Sequence, residues 1–442
     1  MSISQAVESG FPDLVDDLKR LVAIESVSAD PARFEQVDRS AQHVADLISA
    51  VGCDDVTIVR EGGFPAVIAR FPAPEGRPTV CLYAHHDVQP EGDAARWRSE
   101  PFEAIEREGR LYGRGAADDK GGIAVHLAAL RAFGGRPPVG VTLFIEGEEE
   151  VGSPSLRRLI DAHAEKLAAD VFVIADSSNW AVGTPAFTTS LRGLADCVVE
   201  LRTLDHALHS GAFGGVVPDA LTSICRLLAT LHDERGNVAV EGLHAGAGPD
   251  LDYPEDRLRS ESGILDGVSY VGEGTVVERL WHKPAISVIA LDATPVAEAS
   301  NTLIPSARAK ISLRIAPGED AGSAMGQLRT HLEAHAPWGA QLTITGGDAS
   351  EPSAIDFDGP YASAAQDAFR RAWNREPVFV GQGGSIPMVA DFAHSFPDAT
   401  ILVTAVSDPD SRMHGADESV HLGDLLAACT AEALFLEALG HL

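Results

Sequence analysis

Hydrophobic positions follow two rhythms along this chain of 442 residues. Apolar residues recur at helical spacing over 14–24 and 41–51. Short unbroken apolar runs then stand at 79–83, 141–145 and 170–174, with a helical pattern over 121–133 between the first two. Unbroken runs of strand length suit strands buried on both faces. Their alternation with helices predicts a largely parallel sheet covered on both sides. From about residue 193 the rhythm changes. Positions 194–204 and 308–315 alternate apolar and polar, 341–345 reads as a short strand, and 219–231 and 325–335 carry helical stripes. This pattern predicts a smaller antiparallel sheet backed by two helices. The stretch 236–278, rich in Gly, Asp and Glu, reads as a long excursion. After about residue 353 the first style returns, with a helix at 361–373, a strand at 400–403 and a last helix at 422–439. The predicted fold class is α/β. A mostly parallel-sheet domain covered by helices (1–192 and 354–442) is interrupted by a smaller α+β domain (193–353).

Composition narrows the partners. Lysine plus arginine total 34 against 65 for aspartate plus glutamate, a net charge of −31. Such a charge speaks against nucleic acid and anionic membrane surfaces as partners. No apolar run reaches the ~20 residues of a membrane span. The first twenty residues lack the basic start and apolar core of a signal peptide. Cys53, Cys81, Cys197, Cys225 and Cys429 are scattered without a CxxC pair, which predicts reduced thiols and a cytoplasmic setting.

Five segments carry candidate chemistry: 83–90 (Tyr-Ala-His-His-Asp-Val-Gln-Pro), 113–121 (Gly-Arg-Gly-Ala-Ala-Asp-Asp-Lys-Gly), 146–153 (Glu-Gly-Glu-Glu-Glu-Val-Gly-Ser), 173–176 (Val-Ile-Ala-Asp) and 413–415 (Met-His-Gly). Together they hold the histidines and carboxylates that two divalent cations sharing one site require, with a carboxylate to spare. His85, Glu149, Glu150 and Asp176 follow the C-terminal ends of predicted strands, where open α/β sheets place their ligand sites. Each segment also has a plainer reading. A lone His-x-Asp reads first as a turn with a surface histidine. Asp118 and Asp119 precede a helix, and one of them suits its N-cap. Glu148, Glu149 and Glu150 form either a solvated acidic turn or a cluster that cations must neutralise. His86 should face away from His85, since neighbours on an extended chain point oppositely. His43, His126, His163, His232, His331 and His335 lie in or beside helical patterns and read as surface or packing residues.

In this order the segments resemble the M20 family of co-catalytic zinc metallopeptidases, and within it the dipeptidase branch of cytosolic non-specific dipeptidases and carnosinases. The likeness extends to 208–211 (Leu-His-Ser-Gly), 312–315 (Ser-Leu-Arg-Ile) and 383–387 (Gly-Gly-Ser-Ile-Pro) and covers essentially the whole chain. It implies two divalent ions per subunit, zinc first, with manganese or cobalt as alternatives. His85 and Asp176 would hold one ion, Glu150 and His414 the other, and Asp118 would bridge them across a cis Asp118–Asp119 peptide. Glu149 would be the general base and acid, and Asp87 would orient His85. His209, in the interrupting domain, would reach the partner subunit's site to polarise the scissile carbonyl. That implies a homodimer formed through this lid. Asn301, Arg314, Gly384 and Ser385 match positions that hold the substrate's carboxylate or nearby groups. Gly381-Gln382 stands where relatives often carry Arg-Glu, which would leave more of carboxylate recognition to Arg314.

The implied activity is hydrolysis of short peptides, dipeptides with a free C-terminal carboxylate above all. An N-acyl-amino-acid deacylase would use the same ligands with a different pocket. A non-catalytic metal-binding scaffold would normally show a broken ligand set, and none is missing here.

Overall fold

The computed structural model describes residues 1–384 and 386–442. They divide into two compact units, one of 1–189, 355–380 and 387–442, the other of 190–354 and 381–386. The segment 381–386, which the sequence pattern assigns to the returning main domain, groups with the second unit.

In the first unit, Asp55–Val59, Ala66–Phe71, Gly140–Glu146, Thr79–His85, Val171–Ile174 and Thr400–Val403 lie side by side in that order. The pairings from Gly140–Glu146 to Thr400–Val403 are parallel, and Asp55–Val59 and Ala66–Phe71 join antiparallel. Gly140–Glu146 and Val171–Ile174 are buried throughout, and Thr79–His85 nearly so, which is why these strands show no polar alternation. His85 pairs in register with Glu146, so the parallel strands release their chains at one edge of the sheet.

The helices Ile3–Val22, Lys120–Ala132 and Leu422–Leu439 contribute Leu14, Leu18, Leu21, Ile123, Leu127, Leu434 and Leu436 to one core with these strands. Ile3–Val22 begins at a capping box between Ser2 and Gln5, two positions that satisfy each other's backbone groups. His126 and His331, which the sequence pattern assigns to surface or packing, are both buried and hydrogen-bonded. His126 Nδ1 lies 2.9 Å from a Glu432 carboxylate oxygen, and its Nε2 lies 2.9 Å from the Tyr83 carbonyl. The ring therefore links two helices to the central strand. Burial works against its charge, but the Glu432 carboxylate raises its pKa above the ordinary value.

In the second unit, Ala285–Asp292, Ser306–Ile315, Gly193–Arg202 and Gln341–Ser350 form an antiparallel sheet in that order. Ala195, Cys197, Val199 and Leu201 face the same core as Ala309, Ile311 and Leu313. The helices Ala220–Ala229 and Ala321–His335 cover it with Ile224, Leu227, Ala324, Leu328 and Leu332. Asp219 and Asp320 cap those helices through the Thr222 and Ser323 amides. The edge strand Ala285–Asp292 goes unread in the sequence pattern because its outer half is exposed and its apolar residues are not confined to one face.

Replacing His126 by Ala would leave Glu432 buried without its partner. The expected destabilisation is about 3–5 kcal/mol, whereas a joint His126→Leu, Glu432→Met exchange should recover most of it. Urea unfolding of both variants is the check.

Candidate metal centre

At the shared edge of the parallel strands, the chain gathers candidate metal-site residues from five places. His85 ends its strand, and Asp176 lies two residues beyond Val171–Ile174. Glu149 and Glu150 open a single helical turn after Gly140–Glu146. Asp118 arrives on the turn before Lys120–Ala132, and His414 on a loop. The Gly113–Gly115 turn depends on Gly115, whose φ is +82° and where a Cβ would stand 2.5 Å from Val88. Gly122 is needed for another reason, since a Cβ there would meet the Asp119 carboxylate at 2.4 Å. The Asp118–Asp119 peptide is cis.

Asp118 is the centre of the arrangement. Its Oδ1 lies 3.1 Å from His85 Nε2, and its Oδ2 lies 3.0 Å from His414 Nε2. His85 Nε2 is also 4.0 Å from Asp176, and His414 Nε2 is 3.3 Å from Glu150 Oε2. Among the described residues this makes two groups with converging ligand atoms, His85–Asp118–Asp176 and Asp118–Glu150–His414, sharing Asp118. The five residues expected to hold metal are thus brought together. Glu149 stands beside them and its carboxylate belongs to neither group.

The surrounding residues hold this geometry. Asp87 accepts the amides of Glu149 and Glu150 at 3.2 and 3.1 Å. Its carboxylate is 3.4 Å from His85 Nδ1, but its own carbonyl is nearer, at 3.1 Å. Asp87 therefore faces His85 Nδ1 with both backbone and side chain, and its side chain also accepts from the glutamate turn. Glu148 is buried and accepts the amides of Phe64 and Ser155 at 3.0 and 2.6 Å, which removes it from the solvated-turn reading. Asp119 occupies the N-cap position without capping the helix by its side chain, and instead accepts the His85 amide at 3.2 Å. His86 turns away, with Nε2 2.9 Å from the Pro65 carbonyl.

Three supporting residues escape the sequence reading. Gln89 donates to Glu150 Oε2 at 2.8 Å, and its amide reaches Oε1 at 3.1 Å. Glu418 and Arg114 form a buried ion pair at 2.5 Å behind Asp118. Gln89 and Arg114 lie within the segments 83–90 and 113–121 without a pattern that marks their use, and Glu418 lies outside all five segments.

The electrostatics of the cluster favour added positive charge. Burial, then the neighbouring charges of Asp118 and Glu150, raises Asp176 to about 7 against the partial relief that His85 gives. Burial and Asp176 push Glu149 well above the ordinary carboxyl range. Asp119 is raised by burial and Asp176, and its Oδ1 has no hydrogen-bond partner among the described residues. His85 would be lowered by burial, yet Asp118 and Asp87 carry it well above the usual imidazole value. Hydrogen bonds to Asp118 and Glu150 raise His414 to about 10. The cluster thus recruits protons where cations would relieve it. Its imidazole and carboxylate donors, without a thiolate, fit zinc, manganese or cobalt.

The remaining expected residues lie in the second unit. His209 is exposed, and its Nδ1 accepts the Gly211 amide at 3.0 Å. It pairs with Thr302, and the Ser210 amide donates to the Asn301 carbonyl at 2.9 Å, so His209 and Asn301 are neighbours. Arg314 lies on Ser306–Ile315 opposite Leu194. Gly384 is exposed, next to Gly383, whose carbonyl accepts from the buried Arg192 at 3.2 Å. Ser385 lies outside the described residues. No described helix is long and apolar enough to cross a membrane.

Comparison with known proteins places the chain in a family. A model described as Peptidase family M20/M25/M40 matches residues 81–438. The chain is 34% identical over 434 residues to the cysteinylglycine-S-conjugate dipeptidase of Corynebacterium striatum, covering 97% of this chain and 95% of that one. It is 26% identical over 454 residues to human Beta-Ala-His dipeptidase, covering 95% and 88%. The fold matches that of the dipeptidase Dug1p from Saccharomyces cerevisiae with a TM-score of 0.82 at 23% identity, covering 100% of this chain and 98% of that one. With the ligand groups in place on this fold, the chain belongs to peptidase family M20/M25/M40 and is a metallopeptidase.

Proposed function

We propose that this protein hydrolyses dipeptides with a free C-terminal carboxylate, using two divalent cations, zinc first and manganese or cobalt otherwise. The observation that carries the reading is Asp118, whose two oxygens each face a different histidine. His85 and Asp176 would hold one cation, Glu150 and His414 the other, with Asp118 between them. When bound, the cations would supply Lewis-acid polarisation of the scissile carbonyl and of the attacking water. Glu149, beside both groups yet in neither, takes the proton of that water and returns it to the leaving amine. Asp87 keeps the turn bearing Glu149 and Glu150 in place through their amides. The dipeptide substrate class is supported by the two curated relatives named above.

The reading extends to the second unit as a lid and dimerisation domain, with 1–192 and 354–442 as the catalytic domain. Its edge strand exposes Val288, Ile289 and Leu291, apolar positions on an unpaired edge that favour pairing with a second copy. In that homodimer His209 serves the partner's site by polarising the carbonyl, and Asn301, Arg314, Gly384 and Ser385 hold the substrate's carboxylate end. Free Cys53, Cys81, Cys197, Cys225 and Cys429 support a reducing, cytoplasmic setting.

Glu149→Gln should bind metal nearly as wild type does and lose about 10²–10⁴-fold in kcat. Steady-state assays on plain dipeptides beside N-acetyl and N-succinyl amino acids check both parts, with cleavage expected only of the dipeptides. Cleavage confined to the acylated amino acids would make the enzyme a deacylase.

Metal binding must displace the protons held at Asp176, with its pKa near 7, and at His414, with its pKa near 10. Apparent affinity should therefore rise from pH 6 to pH 8, by about tenfold per pH unit throughout for the His414 proton but only below about pH 7 for the Asp176 proton. Calorimetric titration in buffers of different ionisation enthalpy measures both the rise and the proton release.

A further inference from the structure

His414 is the least supported of the five ligands. Its side chain is 57% exposed, it sits on a loop at a φ of +61°, and its ring meets Asp118 and Glu150. His85 and Asp176, by contrast, issue from paired parallel strands, and Glu150 is held by Gln89. What keeps His414 in register with Asp118 lies behind the ligands.

Glu418, four residues after His414, is fully buried. Its carboxylate accepts the amides of Gly115 and Asp118 at 3.1 Å and of Ala117 at 3.0 Å, so it grips the turn that delivers Asp118. Its remaining partner is Arg114 Nη1 at 2.5 Å. The other arm of that guanidinium donates to the carbonyls of Gly415 at 3.1 Å and Pro90 at 3.2 Å. The Glu418 carbonyl also accepts the Gly113 amide at 2.9 Å. One buried ion pair therefore ties the turn bearing Asp118 to the loop bearing His414, through the residue next to His414.

We propose that Glu418 and Arg114 are positioning residues that set His414 against Asp118, and that occupancy of the Asp118–Glu150–His414 group depends on them more than occupancy of the His85–Asp118–Asp176 group does. The inference rests on the two-cation reading of the site. Glu418→Gln keeps the volume but turns an amide N–H towards donors that need an acceptor. Arg114→Lys keeps the charge but loses the fork that spans Glu418 and Gly415.

The test is titration of chelator-stripped wild type, Glu418→Gln and Arg114→Lys with Co²⁺, followed by visible absorption and calorimetry, with far-UV circular dichroism as the fold check. Wild type should take up two cations. Both variants should keep one cation within about threefold of its wild-type affinity and bind the other 10–100-fold more weakly, the usual scale for losing a group that orients a ligand. Should Glu418→Gln fail to fold, Arg114→Lys decides alone. Two cations bound with wild-type affinities in a folded variant would overturn the positioning role and leave the dinuclear reading standing. Equal weakening of both cations would overturn the selectivity. Fewer than two cations in wild type would remove the dinuclear reading itself, and this inference with it.

Discussion

Crowded negative charge is the constraint on which this molecule turns. Asp87, Asp118, Asp119, Glu149, Glu150 and Asp176 converge where the parallel strands end, with His85 and His414 as the basic groups among them. Lys120 stands next in the chain, but its ammonium is buried and committed to the Leu21 and Ile24 carbonyls. Carboxylates packed this closely out of water must bind protons or cations. The raised Asp176 and Glu149 register the first option. The two ligand groups sharing Asp118 register the second.

The fold is what makes such a cluster affordable. Parallel strands buried on both faces supply a rigid edge, so His85 and Asp176 need little local support. Ligands on turns and loops need more. The structure answers with backbone amides on Asp87 and Glu418 and with the Gln89 side chain on Glu150. These supporting bonds neutralise nothing outright. They fix where charge sits, so that Glu149 stays beside the ligand groups without joining them.

Much of this was legible in the sequence, for identifiable reasons. Unbroken apolar runs marked the parallel strands because both faces are covered, and alternation marked Gly193–Arg202 because one face is not. The candidate ligands were legible because His and Asp at strand ends form ordered segments. The edge strand Ala285–Asp292 was not, since its exposed half lacks alternation. Arg114 and Glu418 were not, because a buried ion pair between positions 304 residues apart leaves no local pattern. His126 read as a surface or packing residue for the same reason, as its partner Glu432 lies on a helix distant in sequence. Asp119 sits at an N-cap position, and only its contact with the His85 amide reveals a different use.

Anomalous X-ray diffraction from crystals grown with zinc tests the central claim most directly. Two peaks should flank Asp118, one reached by His85 and Asp176 and the other by Glu150 and His414. A single peak, or two peaks that do not share Asp118, would contradict it.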